Sequence, residues 1–180
     1  MAESIQQFPT YTEAFGKIKE RLINDFKIGM ILIDLSPLSG IEYTYGQAIY
    51  ENVYVSIKQT IMKLIDLKQV RKDDIVTINQ EEGSQFYIFV SKNREKKEFH
   101  ITDLESIADR LRIFINNKIL ATTIPLMKKR PSVNIGYAIT FNNPLLKEER
   151  LLQSMIEDAR ILAKYRAKRN TMMHKERIYE

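Results

Sequence analysis

The sequence predicts an α+β domain with a central, mainly antiparallel sheet flanked by helices, and three observations carry that prediction. Met30-Ile31-Leu32-Ile33-Asp34-Leu35 is a continuous apolar run bounded by turn formers, as expected of a central strand buried on both faces. Asp74 to Asn79 and Phe86 to Val90 are two strand-like runs joined by a polar turn, which reads as a hairpin. Between and around these strands lie segments whose apolar residues recur at helical spacing. The resulting order is helix, strand, helix, two strands, helix, strand, helix.

Taken along the chain, Thr10 or Thr12 caps a first helix whose apolar face is Phe15, Ile18, Leu22 and Phe26, with Gly29 as its stop. Pro37, Ser39 and Gly40 predict a loop after the first strand. A long helix is expected from Tyr45-Gly46, with Ile49, Val53, Ile57, Ile61 and Leu64 on one face. Thr102 and Glu105 have capping-box spacing for a helix burying Leu104, Ile107, Leu111 and Ile115. Ser132 to Phe141 predicts another strand, interrupted by Gly136. Asn143-Pro144 separates it from a last helix, Lys147 to about Lys168, with Leu152, Met155, Ala159, Leu162 and Ala163 inward.

Composition excludes several functions. The 180 residues include no cysteine, so disulfides and thiolate metal sites are ruled out. His100 and His174 are too far apart to form a metal-ligand pattern. No apolar run approaches the roughly 18 residues of a membrane span, and the amino terminus lacks the basic-then-apolar pattern of a signal peptide. A cytoplasmic location is expected. The net charge of +5 favours anionic partners. The basic residues are scattered except near the C-terminus, and no aromatic platform is interleaved with arginine, so nucleic acid is not an expected partner. No Ser/His/Asp or Cys/His nucleophile arrangement and no glycine-rich phosphate loop is present.

The hairpin turn, Glu82-Gly83-Ser84-Gln85-Phe86, resembles the Gly-Gly-Asp/Glu-Glu-Phe signature of the GGDEF family of diguanylate cyclases, but both acidic positions are neutral here. Further matches support the resemblance. Asp34 stands at the strand end where the family keeps a metal-binding aspartate, and Ser36 replaces its second aspartate. In Ile41-Glu42-Tyr43-Thr44-Tyr45-Gly46, Glu42 replaces the guanine-reading asparagine, and Glu51 matches its companion aspartate. Asn134-Ile135-Gly136 matches a late Ser-Ile-Gly strand. Ile156 to Lys164 matches the helix Ala-Asp-x-Ala-Leu-Tyr-x-Ala-Lys. The chain is thus similar to a degenerate GGDEF domain with a nucleotide-cyclase-like fold, divided as 1–28 (lead-in helix), 29–170 (domain) and 171–180 (helical linker).

That resemblance implies a set of site residues. Asp34, Glu42, Glu51, Lys164 and Lys168 correspond to nucleotide-binding positions, the two lysines lying on one helical face. By residues alone the lysines are also ordinary charge at a helix C-terminus. Arg71-Lys72-Asp73-Asp74 fits the family's Arg-x-x-Asp inhibitory pattern, so Arg71 and Asp74 are candidate cyclic di-GMP ligands. By residues alone, the same four can form a solvated turn entering a strand. With Glu82, Gly83, Ser84, Gln85 and Phe86 as a degenerate signature, Mg²⁺ is not expected, no cofactor is implied, and no catalytic residue remains. The expected function is an inactive regulatory domain of cyclic di-GMP signalling that senses cyclic di-GMP or GTP. An EAL domain or another signalling protein is the expected partner, and homodimerisation is left open. Two alternatives stand beside it: a protein-interaction scaffold, or a weak residual enzyme using Asp34, Glu42, Glu81 and Glu82.

Overall fold

The structure, a computed structural model, describes residues 8–64, 69–79, 85–91, 99–122 and 132–176. Helix α1 (Tyr11–Asp25) is followed by strand β1 (Lys27–Asp34), helix α2 (Ser39–Tyr45) and helix α3 (Gln47–Met62). Strands β2 (Ile75–Asn79) and β3 (Gln85–Val90) form the hairpin; α4 (Ile101–Thr122), β4 (Asn134–Phe141) and α5 (Glu148–Glu176) complete the order. The expected α+β class is found, and so is the expected order of helices and strands, with α2 added before the helix expected between β1 and β2. The sheet has the order β2-β3-β1-β4, with every neighbouring pair antiparallel.

The sheet separates two cores, and strand alternation assigns each residue to one of them. Ile31, Ile33, Phe86, Ile88 and Ile135 pack with Val53, Ile57 and Ile61 of α3 and Leu104, Ala108, Leu111 and Ile115 of α4. On the opposite face Met30, Leu32, Tyr87, Phe89 and Ala138 pack with Ala14, Ile18 and Leu22 of α1 and Leu152, Met155, Ile156, Ala159 and Ala163 of α5. Being covered on both sides is why β1 is apolar from Ile28 to Ile33 rather than alternating.

Local chemistry sets the element ends, and at three of them it departs from the sequence expectation. Thr10 forms a full capping box with Glu13, as one of the two expected caps. These bonds hold the Glu13 carboxyl below its ordinary pKa. Helix α1 stops at Asp25 because Phe26 takes a left-handed conformation, φ 57°. Gly29 therefore is not the helix stop. It lies within β1, where an added Cβ would meet Leu104 Cδ1 at 2.7 Å and Phe99 Cε2 at 2.9 Å.

Pro37, Ser39 and Gly40 do not form a plain loop: Pro37, with its fixed φ, lies in a 3-10 turn, Ser36–Leu38, that runs into α2. The long helix expected from Tyr45-Gly46 is α3, with Gly46 as its N-cap at φ 90°, and α2 before it was not expected. The capping box expected from Thr102 and Glu105 is also displaced. Asp103 caps α4 by accepting from the His100 backbone N–H at 2.7 Å, which leaves Thr102 inside the helix.

Candidate functional site

The site forms where β1 ends, β3 begins and α5 crosses them. Asp34 is the last residue of β1, and the register sets it opposite Gln85, the first residue of β3. Both share a sheet face with Leu32 and Tyr87, the face covered by α5. On α5 the residues Glu157, Arg160, Ile161 and Lys164 recur at helical spacing and line, with Leu32, Asp34, Gln85 and Ala163, a cleft of about 210 Å³. Helix α5 comes this close because Gly136 of β4 has no side chain. A Cβ there would stand 1.9 Å from the Ala159 carbonyl oxygen and 2.8 Å from the Ala163 nitrogen.

Asp34 is 7% exposed, and both its oxygens are engaged by one residue. The Ser36 backbone N–H donates to Oδ1 at 3.0 Å and the Ser36 hydroxyl to Oδ2 at 2.9 Å. Gln85 is equally engaged. Its Oε1 accepts from Arg160 Nε at 3.3 Å, from Arg160 Nη2 at 3.1 Å and from the Tyr87 hydroxyl at 3.2 Å. Arg160 Nη2 also donates to the Tyr87 oxygen at 3.1 Å, and Nη1 pairs with Glu157 Oε1 at 3.1 Å. Asn79, the last residue of β2, donates to the Tyr87 oxygen at 3.0 Å, so the network spans both strands of the hairpin root.

The remaining expected site residues fall into separate groups. Lys164 lines the cleft, whereas Lys168 lies one turn further along α5 and is exposed. Glu42 and Glu51 are exposed on α2 and α3, the Glu51 carboxylate accepting from Gln47 Nε2 at 2.8 Å. Gln85 and Phe86 are the first residues of β3 rather than turn residues, Gln85 in the cleft and Phe86 in the opposite core. Glu82, Gly83 and Ser84 lie outside the described residues, as do Glu81 and the turn as a whole. Arg160, Tyr87, Asn79 and Glu157 were not singled out by sequence. The signal for Arg160 was available: it stands where the resembled helix has leucine, four residues before Lys164.

Arg71 and Asp74 are brought together away from this cleft, at the start of β2. Asp74 Oδ2 accepts from the Arg71 backbone N–H and Oδ1 from Arg71 Nη2, each at 3.0 Å. Arg71 Nη2 also donates to the Ser91 carbonyl at 2.8 Å. The Asp74 side chain is 6% exposed against 41% for Arg71. Burial raises the Asp74 pKa above its ordinary value, against the opposing pull of Arg71 and, more weakly, Arg21.

No protein-family model and no curated protein matches the chain. Solved structures do. The GGDEF domain of TpbB (YfiN) from Pseudomonas aeruginosa aligns with a TM-score of 0.58 at 20% identity, over 94% of this chain and 90% of that one. The GGDEF domain of FimX from the same organism gives 0.61 at 11% identity, over 91% and 93%. The GGDEF domain of DgcB from Caulobacter crescentus, a structure in complex with c-di-GMP, gives 0.56 at 11% identity, over 94% and 88%. The protein therefore has the fold of the GGDEF domains of diguanylate cyclases. No helix among the described residues is long and apolar enough to cross a membrane.

Proposed function

We propose that this chain is a catalytically silent, GGDEF-like regulatory domain of cyclic di-GMP signalling, acting in the cytoplasm on or beside an EAL domain or another signalling protein. One observation carries the silence: at the strand ends where a cyclase of this fold would gather acidic ligands, Asp34 is capped by Ser36 and neutral Gln85 is bonded to Arg160. Phosphoryl transfer by metal ions needs anionic oxygens turned toward the substrate. These two side chains are instead turned to their own neighbours.

The ligand that fits this reading is cyclic di-GMP, taken at Arg71 and Asp74. Among the described residues the hydrogen bonds of Arg71 run through its Nη2 and backbone nitrogen, so Nε and Nη1 can each donate singly to a phosphate or a guanine edge. The Asp74 contact holds the guanidinium in place beforehand, which lowers the ordering cost of binding. A second reading, a protein-interaction scaffold that binds no nucleotide, is favoured by the same contact, because Arg71 and Asp74 already satisfy each other.

Isothermal titration of the chain with cyclic di-GMP, then with GTP and Mg²⁺, separates these readings when paired with Arg71→Ala. The expected result is micromolar or tighter cyclic di-GMP binding that Arg71→Ala abolishes, with no cyclic di-GMP formed from GTP. Heat from neither nucleotide leaves the scaffold. Formation of cyclic di-GMP from GTP overturns the silent assignment.

A further inference from the structure

The fold implies a divalent cation at the Asp34 end of the cleft, and the donor set there does not fit one. Mg²⁺ requires near-octahedral oxygen ligation and is held by carboxylates with lone pairs to spare. Asp34 is a single carboxylate, each of whose oxygens already gives one lone pair to Ser36 and keeps only one more. The cross-strand neighbour Gln85 is neutral, and its oxygen accepts from two nitrogens of Arg160 and from Tyr87. The nearby carboxylate of Glu157 pairs with Arg160 Nη1. Among the described residues no cluster of three or more His, Cys, Asp or Glu is arranged to hold an ion.

We propose that Arg160 is the cleft's own cation: its tethered guanidinium takes the place of a divalent metal and keeps metal out. A guanidinium carries a permanent charge and five donors in a rigid fork. Here that fork is spent on Gln85 Oε1, the Tyr87 hydroxyl and Glu157, which leaves the cation immobile rather than poised to swing away. Its location follows from the fold. Ala159, the residue before it, is pressed against Gly136, so the helix cannot draw Arg160 out of the cleft without parting from β4. Tyr87 passes the tether to Asn79, so the fixed charge also anchors the two strands that flank the turn. A dication entering the same end would face the guanidinium charge with the single carboxylate of Asp34 to offset it, since Glu157 is paired with Arg160. The inference rests on Asp34 and Gln85 marking the ligand cleft, and not on any nucleotide being bound.

Mn²⁺ titration of the full chain, followed by the loss of the free-ion electron paramagnetic resonance signal, tests this directly. The wild-type chain is expected to leave the free Mn²⁺ signal unchanged up to millimolar metal. Gln85→Glu combined with Arg160→Leu is expected to bind Mn²⁺ at least tenfold more tightly than wild type, and adding Asp34→Asn should reverse that gain. Arg160→Lys, which keeps the charge and loses the fork, should go on excluding the ion. Wild-type Mn²⁺ binding that Asp34→Asn weakens tenfold overturns the proposal, and needs no folded variant to do so. A folded double variant, judged by unchanged far-ultraviolet circular dichroism, that binds no better than wild type overturns it as well. GTP titration in EDTA reports on the nucleotide reading alone, since its failure would leave the Mn²⁺ comparison intact.

Discussion

Asp74 is held by opposing forces that give the fold a measurable pH dependence. Burial, the largest influence, raises its pKa above the ordinary 3.8, while the Arg71 charge and N–H groups pull the other way. The folded carboxyl thus keeps its proton to a higher pH than the unfolded one does. In the window just above pH 3.8 the folded state binds more protons, so the stability contributed by this group falls as the pH rises through it. Asp74→Asn removes that dependence. The wild-type Tm, relative to the variant's, should be higher near pH 4 than at pH 7 in scanning calorimetry; the same difference at both values would refute the assignment. Residue chemistry was unevenly legible in the sequence. Asp34 and Lys164 were singled out through the family resemblance rather than by periodicity, and the structure sets both on one cleft. The partner of Gln85 was not legible, since periodicity gives the face of α5 that Arg160 occupies but not which strand residue it reaches.

Between elements, the decisive contact is α5 against β4, where backbone meets backbone at Gly136 with no side chain between. Gly136→Ala forces the Ala159 carbonyl away, and overpacking against backbone exceeds the usual range of about 1–3 kcal/mol for a crowded core. Thr10→Ala supplies the scale for comparison, because losing a helix N-cap costs about 1 kcal/mol. Urea denaturation should therefore place the Gly136→Ala midpoint well below that of Thr10→Ala; equal midpoints would mean that α5 shifts freely along β4. The sequence marked Gly136 as an interruption and Thr10 as a cap. It misassigned Gly29, the loop expected at Pro37, Ser39 and Gly40, and the start of α4 because these depend on local contacts. Gly29 makes room for Leu104 and Phe99, Pro37 lies in a 3-10 turn that runs into α2, and Asp103 wins the cap by reaching the His100 N–H.

At the scale of the molecule, the sheet is covered on both faces, and α1 is part of that covering rather than an appendage. Ile18 and Leu22 are fully buried against Met30, Leu32, Tyr87 and Phe89, and the Pro9 carbonyl accepts from the Ile78 N–H at the edge of β2. Fully burying side chains of this size is worth about 1.5–3 kcal/mol each. Residues 27–180 alone should accordingly lose the cooperative thermal transition of the full chain; a sharp transition with little change in Tm would refute an integral role for α1. This much of the architecture was legible, because a strand apolar at successive positions announces two covered faces. Helix α5 has a mechanical consequence as well. Along one unbroken helix, Arg160 grips the hairpin root through Gln85 and Tyr87, and Arg166 grips α4 through Asp109 while lying over the Tyr137 ring. A torque on that shaft is felt at both grips together, so α5 works as a lever joining the cleft to the far helix.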